Sequence, residues 1–167
     1  MNLDDVTIPT TTIRDYLAAK WDARFDLHPR LLEETVASVF RDHGYSAEVT
    51  GYSNDGGIDV ILRRGSIQVG VQVKRYGSKI GVEQIRAFAG ALILAGLPSG
   101  MFVTTSSFTA HAKTAAKRYA RSGIPVQLLN SDDFYFALGI AQREAHRSID
   151  EFDLTSLRLN STVVAAT

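Results

Sequence analysis

From Ile67 onward the chain alternates without interruption, with Ile67, Val69, Val71 and Val73 at one parity and Gln68, Gly70, Gln72, Lys74 and Tyr76 at the other. Successive side chains on a strand point to opposite faces, so a period of two over this length excludes an amphipathic helix and sets a strand with one apolar face. The rest of the chain must supply a core for that valine row and strand partners for its backbone.

Partners are available on both sides. Ala47 to Thr50 reads as a short extended segment, Gly51 to Gly57 is rich in turn formers, and Ile58 to Arg63 reads as a second strand. On that strand Ile58, Val60 and Leu62 are expected toward the core, with Asp59 and Arg63 on the opposite face. Arg64, Gly65 and Ser66 turn into the alternating strand, so an antiparallel meander is predicted.

Downstream, Val82 to Ala95 is a helix apolar nearly all round, which implies burial between layers, and Gly96 and Pro98 end it. A strand at Met101 to Thr105, a helix at Phe108 to Ser122, a strand at Val126 to Leu129 and a helix at Asp132 to His146 follow. Strand-helix-strand units require right-handed parallel crossovers, so the fold class is α/β, a mixed sheet of about five strands flanked by helices.

Two helices precede the meander. Thr12 and Asp15 resemble a capping box, and Ile13, Leu17 and Trp21 recur at helical spacing up to about Arg24. Pro29 suits the first turn of the next helix, where Leu32, Val36, Val39 and Phe40 form one stripe before Gly44 closes it. This organisation predicts a helical extension over 1–28, a central domain over 29–147 and a tail or linker over 148–167.

Composition narrows the chemistry. The 167 residues suit one ordinary domain, and the absence of cysteine removes disulfides and thiolate metal sites, leaving oxygen and imidazole ligands. His28, His43, His111 and His146 show no zinc-site spacing and are expected at the surface or as caps. No apolar run reaches the roughly 20 residues of a membrane span and no signal peptide is apparent, so a cytoplasmic protein is expected.

Net charge is zero, yet between Ile61 and Pro125 ten basic residues face one acid, Glu83, a surplus of nine; the flanks carry seventeen acids against eight bases. A basic patch is therefore available to a polyanion, although the Lys113 to Arg121 group alone fits a solvated helix face equally well.

The chemistry converges on the meander. Gln72 and Lys74 share one strand face, and pairing with the Ile58 strand would bring the Asp59 carboxylate to them. An acid and an amide oxygen suit magnesium, and a fixed ammonium suits the charge that grows on a phosphoryl group during hydrolysis. Taken singly, these residues are ordinary: a surface lysine, a turn carboxylate, an exposed amide.

Taken together, Asp55-Gly56-Gly57-Ile58-Asp59-Val60, Val71-Gln72-Val73-Lys74-Arg75-Tyr76 and Val103-Thr104-Thr105-Ser106 before Phe108 carry a resemblance. Over roughly Leu31 to Leu129 the chain resembles the Mrr-like, type IV restriction endonuclease-like catalytic domain of the PD-(D/E)xK nuclease superfamily. The resemblance implies a restriction-endonuclease-like fold and a metal-dependent DNA endonuclease of restriction or antiviral defence type, using Mg2+ with Mn2+ able to substitute.

It implies catalytic roles for Glu33, Asp59, Gln72 and Lys74, with Asp59, Gln72, Glu33 and the Val73 carbonyl as metal ligands. Glu33 follows Leu32 where the family more often has phenylalanine. Glu34 lies about 100° away around the helix axis, so sequence alone does not fix which carboxylate faces the site. One-metal and weak two-metal binding are equally open.

Arg75 and Lys79, close after Lys74, are candidates for DNA phosphates, with a solvated strand end as the plainer reading. Asp55 is a turn former before an outer-sphere metal partner. Duplex cutting suggests a homodimer, with the helices at Val82–Ala95 and Asp132–His146 (Phe134, Phe136, Leu138) as candidate surfaces, and target choice suggests an additional targeting domain or partner protein. The alternative is a non-catalytic DNA-binding or assembly module. A nucleotide-binding domain lacks its glycine-rich strand-to-helix loop, and a serine hydrolase lacks its nucleophile elbow.

Overall fold

The computed structural model describes residues 1–51 and 57–144. Asn54, Asp55 and Gly56 of the glycine turn, His146 and the expected tail lie outside the described residues.

The elements follow the expected order. Helix α1 spans Thr10–Ala19, a 3-10 turn Trp21–Phe25, and α2 Pro29–Asp42; strands β1 (Ser46–Val49), β2 (Val60–Arg64) and β3 (Ile67–Lys74) come next. Then α3 (Val82–Leu94), β4 (Gly100–Thr104), α4 (Ala110–Arg121), β5 (Val126–Leu129) and α5 (Ser131–Glu144) complete the described chain. One sheet runs β1-β2-β3-β4-β5, antiparallel through β3 and parallel from β3 to β5. The mixed α/β sheet expected from the sequence is the one observed.

Helices cover both faces. Val60, Leu62, Val71, Val73, Val103 and Leu129 pack with residues of α1, α2 and α5 in one core, while Phe102 and Val126 pack with α3 and α4 in the other. The stripe Leu32, Val36, Val39, Phe40 is buried as its spacing requires. Ile13 and Leu17 of α1 enter the same core, and the buried Arg14 ties three helices together: it bonds Ser38 and Gln142 at 3.0 and 2.8 Å and pairs with Asp42 at 2.6 Å. A buried guanidinium persists when its donors are met in this way.

Several local expectations are corrected. Helix α1 starts at Thr10 behind Pro9, with no side-chain cap; Asp15 instead accepts from Gln142 of α5, so its carboxylate serves tertiary contact. His28 caps α2 at its start through Nδ1 and His43 is its C-cap residue, both in the capping role expected, with His43 buried there. Ile58 packs in the α3–α4 core while Val60 packs in the other. Residues two apart on a regular strand share a face, so the backbone turns at Asp59 and the alternation expected there is broken.

Helix α3 is likewise not buried all round. Ile85, Phe88, Ala89 and Leu92 face the sheet, whereas Ile93 is 57% and Leu94 91% exposed. It lies close to the sheet because Gly70 and Gly100 are paired neighbours on β3 and β4. A Cβ on Gly70 would stand 2.6 Å from Leu92 and 2.8 Å from Leu97, and one on Gly100 would run into Leu92 and Phe88. In α5, Phe134 and Leu138 are buried and Phe136 is 56% exposed.

This contact predicts that Gly100→Ala overpacks the interface between α3 and the sheet and lowers unfolding free energy by about 1–3 kcal/mol. Urea denaturation measures it; unchanged stability would mean that α3 lifts off the sheet without cost.

Candidate active site

The site forms where β2 begins. The Asp59 N–H donates to the Val71 carbonyl at 2.8 Å, and the Asp59 carboxylate accepts from the Val73 N–H at 2.7 Å through Oδ2. One side chain thus occupies a position on the β3 edge that a strand carbonyl would otherwise fill. Thr50 secures the other side: its N–H donates to the Asp59 carbonyl at 2.9 Å and its hydroxyl to the Ile58 carbonyl at 2.7 Å.

Helix α2 brings the second carboxylate. Glu33 is the member of the Glu33–Glu34 pair that feels Asp59: burial raises its proton affinity first, and the negative charge of Asp59 raises it further. Arg30 opposes this, with one guanidinium nitrogen 3.4 Å from Glu33 and 2.7 Å from the Thr50 carbonyl, and the other 3.1 Å from Glu34. Arg30 therefore links α2 to the Thr50–Asp59 backbone. It stands three and four residues before the two glutamates, the spacing at which helical ion pairs form, so the signal was present in the sequence although unused.

The Asp59 carboxyl is also raised from its ordinary value, chiefly by burial; the Val73 N–H bond and the charges of Lys74 and Arg30 pull it back. The Lys74 ammonium thus acts electrostatically on Asp59. Gln72 approaches from the same strand, its amide lying against Gly57, where a Cβ would come 2.7 Å from Nε2. Gly57 adopts φ +94°, a conformation that favours glycine and lets the turn pass over Gln72.

Helix α2, the start of β2 and strand β3 therefore bring Glu33, Asp59, Gln72 and Lys74 into one locality. Arg75 points elsewhere, donating to the carbonyls of Phe25 and Leu27 at 3.1 and 3.0 Å, which fastens the segment before α2 to the end of β3. Lys79 is exposed beyond it. Among the described residues no group of three or more His, Asp or Glu side chains is placed to hold a metal ion.

The sheet and its helical layers place the chain in the restriction-endonuclease-like class. The solved structure of the DNA modification-dependent restriction endonuclease AspBHI superposes with a TM-score of 0.55 at 19% identity, over 80% of this chain and 35% of that one. Restriction endonuclease FokI superposes with a TM-score of 0.53 at 14% identity, over 92% and 33%. Residues 25–137 match the Mrr catalytic family of restriction endonucleases, and the chain belongs to that family.

Two curated relatives align with the same region. The type IV methyl-directed restriction enzyme EcoKMrr of Escherichia coli (strain K12) is 34% identical over 97 residues, 53% of this chain and 32% of the relative. The uncharacterized protein y4cE of Sinorhizobium fredii is 32% identical over 102 residues, 58% of this chain and 26% of the relative. The matches thus span about a third and a quarter of those relatives' lengths.

The raised pair fixes the sign of a pH effect. A carboxyl that holds its proton more tightly when folded than when unfolded favours folding at low pH, and that advantage is lost as pH rises through the carboxylate range. Glu33→Gln should therefore raise the melting temperature of the metal-free protein at neutral pH by a few degrees, with the gain shrinking as pH falls and the wild-type carboxyl takes up its proton. Calorimetry in chelator at several pH values measures this; a melting temperature at or below wild type at neutral pH would contradict it.

Proposed function

We propose that the chain is a metal-dependent DNA endonuclease that hydrolyses phosphodiester bonds in a restriction or defence role. The observation that carries this reading is the convergence of Glu33 and Asp59, two partly buried carboxylates each made harder to ionise by burial, with Asp59 adding to the cost at Glu33 and Lys74 acting on Asp59. Holding two carboxylates in this way costs stability, as expected of residues kept for binding and chemistry.

The donor set suits a hard divalent cation, which takes one or two carboxylates and completes its shell with neutral oxygens and water. Glu33 and Asp59 would be the anionic ligands, with the Gln72 amide oxygen and the Val73 carbonyl as neutral ones. When bound, magnesium would supply Lewis acidity and a more acidic water. With Oδ2 of Asp59 held by the Val73 N–H, its carboxylate would still have Oδ1 to offer a cation.

Lys74 holds its ammonium beside Asp59, where it supports either the attacking water or the charge that accumulates on the phosphoryl oxygens. The attack forms a new P–O bond and breaks the bond to the leaving nucleotide oxygen, giving a phosphate monoester and a hydroxyl. Cutting both strands of a duplex calls for two such centres, which a second copy would supply. Both EcoKMrr and AspBHI are described as directed by DNA modification, so modified DNA is the first substrate to offer.

The test incubates purified protein with methylated and unmethylated supercoiled plasmid in magnesium, manganese or chelator, alongside Lys74→Ala and Asp59→Ala, with sedimentation to report pairing. Metal-dependent nicking or linearisation is expected, falling at least about a hundredfold in each variant. Magnesium should also raise the wild-type melting temperature more than that of Asp59→Ala, a readout independent of cutting. DNA binding without cutting in any metal would assign the chain to a non-catalytic module.

A further inference from the structure

Helices α3 and α4 cover the sheet face opposite α1, α2 and α5, and a groove of about 380 Å³ lies between them. Arg86 of α3 and His111, Arg118 and Tyr119 of α4 line it, and no carboxylate does. Thr114 and Ser122 also border it, but their hydroxyls already donate to the carbonyls of Ala110 and Arg118 at 3.0 and 3.1 Å. The donors available to a ligand are therefore the two guanidiniums, the imidazole and the phenol.

The charge around the groove has one sign. Helix α4 buries Ala112, Ala115 and Ala116 and exposes Lys113, Lys117, Arg118 and Arg121, with no acid between Ala110 and Arg121. None of these four forms an ion pair among the described residues. Glu83, the one acid of α3 and α4, pairs with Arg86 at 2.8 Å, but both side chains are more than half exposed, so a phosphate displaces it at little cost.

A solvated helix face ordinarily mixes signs along its length. Here Arg118 enters the groove with three further donors, Arg86, His111 and Tyr119, while Lys113, Lys117 and Arg121 stand on the outer face of the same helix. An anionic partner would relieve the repulsion among these like charges, and guanidiniums match phosphate oxygens in pairs.

The place of the groove also fits. Helices α3 and α4 begin past the C-terminal ends of β3 and β4, where Ile80 pairs with Phe108, so the end of the groove lined by Val82 and His111 follows the end of the sheet at which Lys74 closes β3. Lys113, Lys117 and Arg121 recur every four residues over about 12 Å of helix, the axial rise of three to four base pairs.

We infer that the α3–α4 groove is a phosphodiester-backbone subsite, in which Arg86 and Arg118 hold phosphates of the DNA flanking the cleavage point and Lys113, Lys117 and Arg121 follow the backbone beyond. This rests on DNA being the substrate. Contacts of this kind position the duplex without reading its sequence.

The test measures affinity for a 30-bp duplex by fluorescence anisotropy across a salt series in chelator, where cutting does not interfere. The duplex length is about what a site of this span plus its flanks requires. Arg86→Gln with Arg118→Gln should lower the slope of log K against log salt by about 1.8 and weaken binding roughly tenfold at physiological salt. Lys113→Gln with Lys117→Gln should lower the slope similarly, and Arg86→Lys with Arg118→Lys should restore most of it.

All these side chains are exposed, so melting curves should match wild type. An unchanged slope in both glutamine variants while wild type binds DNA would overturn the subsite and leave the nuclease reading standing. Wild type failing to bind any duplex would overturn both. A changed sedimentation coefficient with an unchanged slope would assign the groove to protein contact and overturn the inference.

Discussion

The hydrogen bond from the Val73 N–H to Asp59 Oδ2, 2.7 Å long, is the contact on which the site is built. A backbone donor on a central strand must find a partner, and here it finds a carboxylate in place of a strand carbonyl. The consequence is geometric. Asp59 is held toward β3, the backbone turns at its Cα, Ile58 passes to the opposite core from Val60, and Thr50 closes over the freed carbonyls. Charge-assisted bonds to backbone N–H groups are stronger than neutral ones, so the bond also offsets part of the cost of burying the aspartate.

That offset is incomplete, and the remainder shapes the centre. Glu33 and Asp59 are both pushed toward their protonated forms by burial, and Asp59 raises Glu33 further. Arg30 and Lys74 approach from opposite sides, one from α2 and one from β3, and moderate the pair without removing the conflict. Gln72 matters for what it lacks: a third carboxylate at its position would deepen the repulsion, whereas an amide adds an oxygen donor with no charge. The cost of holding the two carboxylates there is borne by a sheet buried on both faces.

The sequence disclosed those features that repeat. The alternation from Ile67 to Lys74, the apolar stripe of α2 and the strand Val126–Leu129 follow from periodicity, and the observed elements agree. Features that depend on a partner far along the chain were invisible. Nothing local says that Gly70 and Gly100 lie side by side, which is why α3 packs so closely yet leaves Leu94 in solvent. The break at Asp59 escaped for the same reason, since its cause is a donor fourteen residues later. Of the site itself, Asp59, Gln72 and Lys74 were legible as a constellation, while choosing between Glu33 and Glu34 needed the orientation of α2, and Thr50 carried no signal.

The two helical layers also treat charge differently, and the difference follows from their tasks. On the α1, α2 and α5 side, cations are consumed internally: Arg14 by Asp42, and Arg30 by Glu33 and Glu34. Each joins elements that must stay together for Glu33 to reach Asp59. On the α3 and α4 side the cations outnumber the acids, and the one pair present is exposed. Core packing alone would not demand that asymmetry, because alanines, leucines and phenylalanines already hold both helices to the sheet. One layer thus uses its charges to hold Glu33 near Asp59, while the other turns them outward, where they set the potential of that surface.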